Sequence, residues 1–205
     1  YRAYDHGREN PACCLWFAVD YDGRVWCYRE LYVRGWDVDQ IAKEINRLSV
    51  GEEYAYSVAD PSIFAKLGFV DRYGGQTIAE SFARQGVQFI PGSNRRIDGW
   101  NLMHQYLRWS EGNPPKMLFF KNCLNSIRTI PTLIHDEHKP EDLETRGEDH
   151  AGDTCRYFLN SLHERKTSLP ITETEWKVRQ MSINKETAIE NLKEFYEGEL
   201  YRKGG

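Results

Sequence analysis

Apolar side chains occupy almost every position in Ala12-Cys13-Cys14-Leu15-Trp16-Phe17-Ala18-Val19. A run of that kind predicts a strand buried on both faces. Asp22-Gly23 supplies a two-residue turn favouring positive φ, and 25–32 returns as the next strand, so the two form a hairpin. Ahead of them, 1–5 ends a first strand that leads into His6-Gly7. Asp37, with Gln40 three residues on, opens a helix in the manner of a capping box. Val38, Ile41, Ile45 and Leu48 give that helix its apolar stripe. The stretch 54–59 predicts a fourth strand running into Asp60-Pro61, where the proline stops the ladder and leaves Asp60 at the strand's carboxyl end.

Beyond it the pattern predicts a helix over 76–85, a short fifth strand over 87–91 and a helix over 98–109 with Leu102, Met103, Tyr106 and Leu107 inward. A short apolar stretch follows at 116–121, then a helix over 123–134. The charged, proline-interrupted segment 135–147 reads as a loop or β-hairpin, and a further helix spans 149–163. After a boundary at 165–170, an amphipathic helix over 184–202 carries Ile189, Leu192, Tyr196 and Leu200 on one side. A hairpin-rich start followed by α/β alternation predicts an α/β fold: a mixed sheet, antiparallel over its first three strands and parallel after, with helices on both faces.

The helix over 149–163 has two distinct sides at about 100° per residue. Ala151, Cys155, Phe158, Leu159 and Leu162 share a face that would be buried. Asp149, His150 and Asp153 fall opposite, at spacings that bring side chains together. Such acceptors suit a hard or borderline divalent metal, but acidic residues at a helix start also complement the helix dipole on a solvated face. Asp5 and Asp60 change the balance, because each ends a strand, and side-by-side pairing of those strands would make them neighbours. Carboxylates converging in this way repel one another and resist desolvation unless cations lie between them.

Composition narrows the classes further. The 205 residues are 40% hydrophobic and 13% aromatic, enough for one good-sized domain with an appendage. A net charge of −4 argues against a protein that passively coats nucleic acid, though not against an enzyme whose acidic cluster is neutralised by metal. Five cysteines without CxxC spacing read as reduced core thiols of a cytoplasmic protein, and a zinc site is not expected. No apolar run reaches the length of a membrane span and no signal peptide opens the chain. The start at Tyr1, without methionine, looks like a domain cut from something longer. Cys13 and Cys14 lie inside a strand, where packing is their role. Ser57 and Ser62 lack a histidine arranged for a triad. His6 could orient Asp5, as could a backbone amide.

Tyr4-Asp5-His6-Gly7, Val58-Ala59-Asp60-Pro61 and Asp149-His150-Ala151-Gly152-Asp153-Thr154-Cys155-Arg156-Tyr157 resemble the three acidic motifs of the nuclease domain of large terminase subunits. These are the DNA-packaging proteins of tailed bacteriophages and herpesviruses. The resemblance covers about 1–163 and implies a ribonuclease H-like fold, with a domain at 1–165 and a tail at 166–205. It implies an endonuclease that cuts concatemeric double-stranded viral DNA with two divalent ions, Mg²⁺ or Mn²⁺. Carried over, Asp5 would bridge both ions, Asp60 would bind one and Asp153 the other, with Asp149 and His150 as ligands or as groups behind the ligands. Lys66, Arg72, Arg95 and Arg96 could grip the DNA backbone, or belong to solvated loops.

The resemblance also implies an upstream ATPase motor, for which this chain has no G-x-x-x-x-G-K-[ST] loop. The partners it implies are the small terminase subunit and the portal, and the place is the host cytoplasm, at the viral procapsid. Other ribonuclease H-like nucleases, such as junction resolvases and transposases, share the acidic trio. A non-catalytic DNA-binding module is the remaining alternative.

Overall fold

The computed structural model describes residues 1–66, 77–137, 139, 141–144 and 147–168. The chain divides into two units, Tyr1–Glu164 and Arg165–Gly205. The expected helix over 184–202 lies outside the described residues, as do Gln76 and Arg72.

Six strands of the described residues form one sheet: β1 (Arg2–Asp5), β2 (Ala12–Val19), β3 (Val25–Val33), β4 (Ser57–Ala59), β5 (Ile90–Pro91) and β6 (Met117–Phe119), in the order β5-β4-β1-β2-β3-β6. The β1–β2 and β2–β3 pairs are antiparallel. β4 runs parallel to β1, β5 parallel to β4, and β6 parallel to β3. This is the mixed sheet expected from the pattern.

The apolar run of β2 is explained by burial on both sides. Cys13, Leu15 and Phe17 enter one core, with Trp100, Cys155 and Phe158. Cys14 and Trp16 enter the other, with Ile41, Ile45 and Phe82. Successive strand side chains alternate between faces, so a strand covered on both sides has no polar positions to show. Phe17 stacks on Phe158 with ring centroids 4.1 Å apart. All five cysteines are free and buried, and the Cys27 and Cys123 sulfurs lie 3.8 Å apart.

The helices are α1 (Val38–Leu48), α2 (Ile78–Arg84), α3 (Arg96–Leu107), α4 (Leu124–Thr129) and α5 (His150–Ser168). Asp37 and Gln40 close the expected capping box on α1, with Asp37 accepting from the Gln40 amide at 2.9 Å and Gln40 from the Asp37 amide at 3.0 Å. Several boundaries differ from the sequence pattern. The β2–β3 connection is longer than two residues, because the Asp20 carboxylate accepts from the amides of Asp22 and Arg24 and from Trp26 Nε1 and holds a wider loop. α4 stops at Thr129 and a 3-10 turn, Ile130–Thr132, replaces its expected continuation, since Pro131 has no amide hydrogen to give the helix ladder.

α5 departs most from expectation. Every residue from Ala151 to Leu162 is buried, so the helix has no solvated face along that length. On the side away from the sheet, α3 and the segment around Leu133 and Asp142 cover it. Gly99 permits that approach: a Cβ there would stand 2.1 Å from Arg156 Cγ. No described helix is long and apolar enough to cross a membrane.

Candidate metal centre

Parallel pairing fixes the first two carboxylates. Tyr4 lies opposite Ala59, and the Asp60 amide donates to the Tyr4 carbonyl at 2.9 Å. Asp5 and Asp60 are the next residues on two adjacent parallel strands, so they emerge side by side at the carboxyl edge of the sheet. Asp60 caps the 3-10 turn Pro61–Phe64, accepting from the Ser62 amide at 2.9 Å and the Ser62 hydroxyl at 2.5 Å.

α5 begins against this edge. His150, its first residue, places Nδ1 2.9 Å from Asp5 Oδ2. His6 is not the orienting histidine; its Nδ1 meets the Tyr4 hydroxyl at 2.8 Å. Asp153 follows His150 by about one turn and receives Arg156 Nε at 2.8 Å, while Arg96 Nη1 lies 3.4 Å from each of its oxygens. Asp149, just before the helix, has Arg96 Nη2 at 3.8 Å.

The electrostatics show that these groups sense one another. Burial pushes the Asp5 carboxyl up to about 7, the His150 hydrogen bond opposes that rise, and the charges of Asp153 and Asp60 add to it. Burial and then the Asp153 charge raise Asp149. The hydrogen bond to Asp5 raises His150. Asp5 is 6% exposed and Asp153 9%, so the cluster sits in a low-dielectric setting that penalises uncompensated anions.

The donor set is therefore right for a hard divalent cation, and the mutual strain of the carboxylates is what a cation would relieve. Among the described residues, no three His, Cys, Asp or Glu side chains stand grouped as a ready-made metal cage. Each carboxylate has a partner of its own: Asp60 faces Ser62, Asp5 faces His150, and Asp153 is paired with Arg156 and Arg96.

The basic candidates divide. Arg95 is 69% exposed at its side chain and lies 3.8 Å from Asp98. Lys66 is exposed. Arg96 is drawn into the acidic cluster, with Nε 2.6 Å from Asp142 Oδ1. Sequence reasoning gave no role to Arg156, Asp142 or Ser62. Arg156, three residues after Asp153, carried an (i, i+3) signal. Asp142 is distant in sequence and carried none.

A mixed sheet in this strand order, with carboxylates at its edge and a buried helix across them, defines a ribonuclease H-like fold, the fold of large terminase nuclease domains. No protein-family profile and no curated protein matches the chain by sequence. Among solved structures, the chain is similar to the large terminase of a thermophilic bacteriophage, with a TM-score of 0.62 and 17% identity over 78% of this chain. It spans 38% of that terminase. It is similar to the bacteriophage P22 large terminase nuclease domain, with a TM-score of 0.60 and 14% identity over 79% of this chain and 80% of the other. The bacteriophage SPP1 large terminase nuclease domain, solved with bound Mn, gives a TM-score of 0.54 and 17% identity over 76% of this chain and 82% of that one. At these identities the likeness is one of fold.

Proposed function

We propose that this chain is the nuclease domain of a large terminase subunit, a divalent-metal-dependent endonuclease that cuts concatemeric double-stranded viral DNA during genome packaging. One observation supports the reading: Asp5 and Asp60 leave adjacent parallel strands side by side, and the charges of Asp153 and Asp60 both act on Asp5, in a fold similar to that of the SPP1 domain solved with Mn. Asp5, Asp60 and Asp153 would hold two Mg²⁺ or Mn²⁺ ions, with Asp149 and His150 as further ligands or supports. Ions bound there would activate a water and stabilise the leaving 3′-oxygen of a phosphodiester displacement.

The chain's own residues prepare that arrangement. His150 orients the Asp5 carboxylate, Ser62 fixes Asp60, and Arg156 holds Asp153 from its buried side. Lys66, Arg72 and Arg95 are the basic side chains assigned to the DNA backbone, and Arg96 would join them only on leaving Asp142 and Asp153. Contacts of that kind position a duplex without reading its sequence. The domain is assigned to 1–165 and the tail to 166–205. In the whole protein an upstream ATPase motor, the small terminase subunit and the portal would be its partners, in the host cytoplasm at the procapsid.

The test is incubation of the purified chain with supercoiled plasmid and Mg²⁺, Mn²⁺ or EDTA, beside Asp5→Asn, Asp60→Asn and Asp153→Asn. The reading predicts metal-dependent nicking and linearisation, lost in each variant. Cleavage confined to four-way junctions or RNA–DNA hybrids would instead place the chain among other ribonuclease H-like nucleases. A folded wild type that binds DNA and cuts nothing would make it a binding module.

A further inference from the structure

The acidic cluster and the loop beside it share one guanidinium. Arg96 opens α3 and sends Nε to Asp142 Oδ1 at 2.6 Å, Nη1 to both oxygens of Asp153 at 3.4 Å, and Nη2 toward Asp149 Oδ2 at 3.8 Å. Asp142 organises its own loop. Its carboxylate accepts from Trp100 Nε1 at 3.1 Å and from the Leu143 amide at 2.8 Å, and its carbonyl accepts from the Asp136 amide at 2.9 Å. The antiparallel bridge between His135 and Leu143 joins the two arms of this loop.

The two arginines on Asp153 are not equivalent. The Arg156 side chain is 3% exposed and bonds at 2.8 Å, while Arg96 is 26% exposed and approaches at 3.4 Å. Arg156 is the closer and more deeply buried partner, and Arg96 the more distant and more exposed one. Arg96 Nη2 is buried and makes no hydrogen bond among the described residues, so its grip on the α5 acids is incomplete.

A guanidinium and a divalent ion compete for the same carboxylate oxygens and repel each other at close range. Resting on the cation site proposed above, we propose that Arg96 is a positioning residue that occupies the Asp149 and Asp153 carboxylates in the ion-free protein. An entering divalent cation displaces it and loosens the loop that it holds through Asp142. The coupling follows from shape: the guanidinium is one rigid plane, so leaving Asp153 also re-aims the Nε–Asp142 bond.

Two measurements on the whole chain test this: Mg²⁺ binding by calorimetry, and amide hydrogen exchange at Leu143 and Glu144 with and without Mg²⁺. In wild type, Mg²⁺ accelerates exchange at both amides. Arg96→Gln binds Mg²⁺ about tenfold more tightly, as removal of a nearby like charge requires, and its loop amides exchange fast with or without the ion. Arg47→Gln makes the same charge change on the exposed Arg47–Glu44 pair of α1 and leaves both readouts at wild-type values. Wild type that binds Mg²⁺ without any change at Leu143 and Glu144 overturns the coupling and spares the cation site. Folded Arg96→Gln that binds Mg²⁺ no more tightly than wild type overturns it as well. Wild type that binds no divalent ion removes both the coupling and the nuclease reading.

Discussion

Replacing Gly99 with alanine sets two effects against each other. Alanine is the better helix former, and inside α3 the exchange should gain about 1 kcal/mol. The new Cβ, however, would stand 2.1 Å from Arg156 Cγ and 2.8 Å from Arg156 Cδ. Arg156 is 3% exposed, with its guanidinium carbon 4.3 Å from the Tyr157 ring centroid and 5.4 Å from that of Trp100. It has nowhere to step without lengthening its 2.8 Å bond to Asp153.

Overpacking of this kind costs about 1–3 kcal/mol, and weakening a charge-assisted buried hydrogen bond adds about 1.5–3 kcal/mol. The clash therefore outweighs the propensity gain, and Gly99→Ala should destabilise by about 2–4 kcal/mol, or lower Tm by about 5–15 °C for a chain of this size. Urea unfolding in chelator measures it, with Gly147→Ala as the control, since a Cβ at Gly147 meets nothing within 4 Å. A Gly99→Ala protein that unfolds at the same or a higher urea concentration would refute this picture of the α3–α5 contact.

Asp5 makes a pH prediction. Its folded value of about 7 lies above its ordinary 3.8, so between those values the native state keeps a proton that the unfolded chain releases. Stability without metal should fall as pH rises from 4 to 7, by up to about 4 kcal/mol at about 1.4 kcal/mol per unit. His150, also raised, acts in the same direction near the top of that window. Asp5→Asn should flatten the profile in EDTA, and a variant as pH-sensitive as wild type would count against the buried-carboxylate account. Glu30 makes a separate prediction: it accepts from the Asn125 amide and side chain, each at 2.9 Å, and from the Ser126 amide and hydroxyl at 2.7 and 2.6 Å. Glu30→Gln should cost about 1.5–3 kcal/mol in urea unfolding and leave Mg²⁺ affinity at the wild-type value; unchanged stability would show that this carboxylate does not anchor α4.

What the sequence made legible follows the range of the interactions. The Asp37–Gln40 capping box and the two-faced run of β2 are local, so periodicity and spacing were enough. The adjacency of Asp5 and Asp60 also followed from local signals, because two strands that stop at an aspartate need only pair in parallel. The all-round burial of α5 did not follow. Its polar side, with Asp149, His150 and Asp153, looks solvated when read alone, and is largely interior because α3 and the segment around Leu133 pack against the helix. Arg96, from its loop setting, reads equally as a DNA-backbone contact or a solvated side chain. Its ties to Asp142 and Asp153 span 46 and 57 residues, beyond the reach of any local pattern.

The most direct test of the central claim is a crystal structure of this chain grown with Mn²⁺, read by anomalous scattering. The account predicts Mn²⁺ peaks within ligand distance of Asp5, Asp60 and Asp153, with Arg96 withdrawn from Asp153. Peaks elsewhere, or an acidic cluster still closed by Arg96 at saturating Mn²⁺, would contradict it.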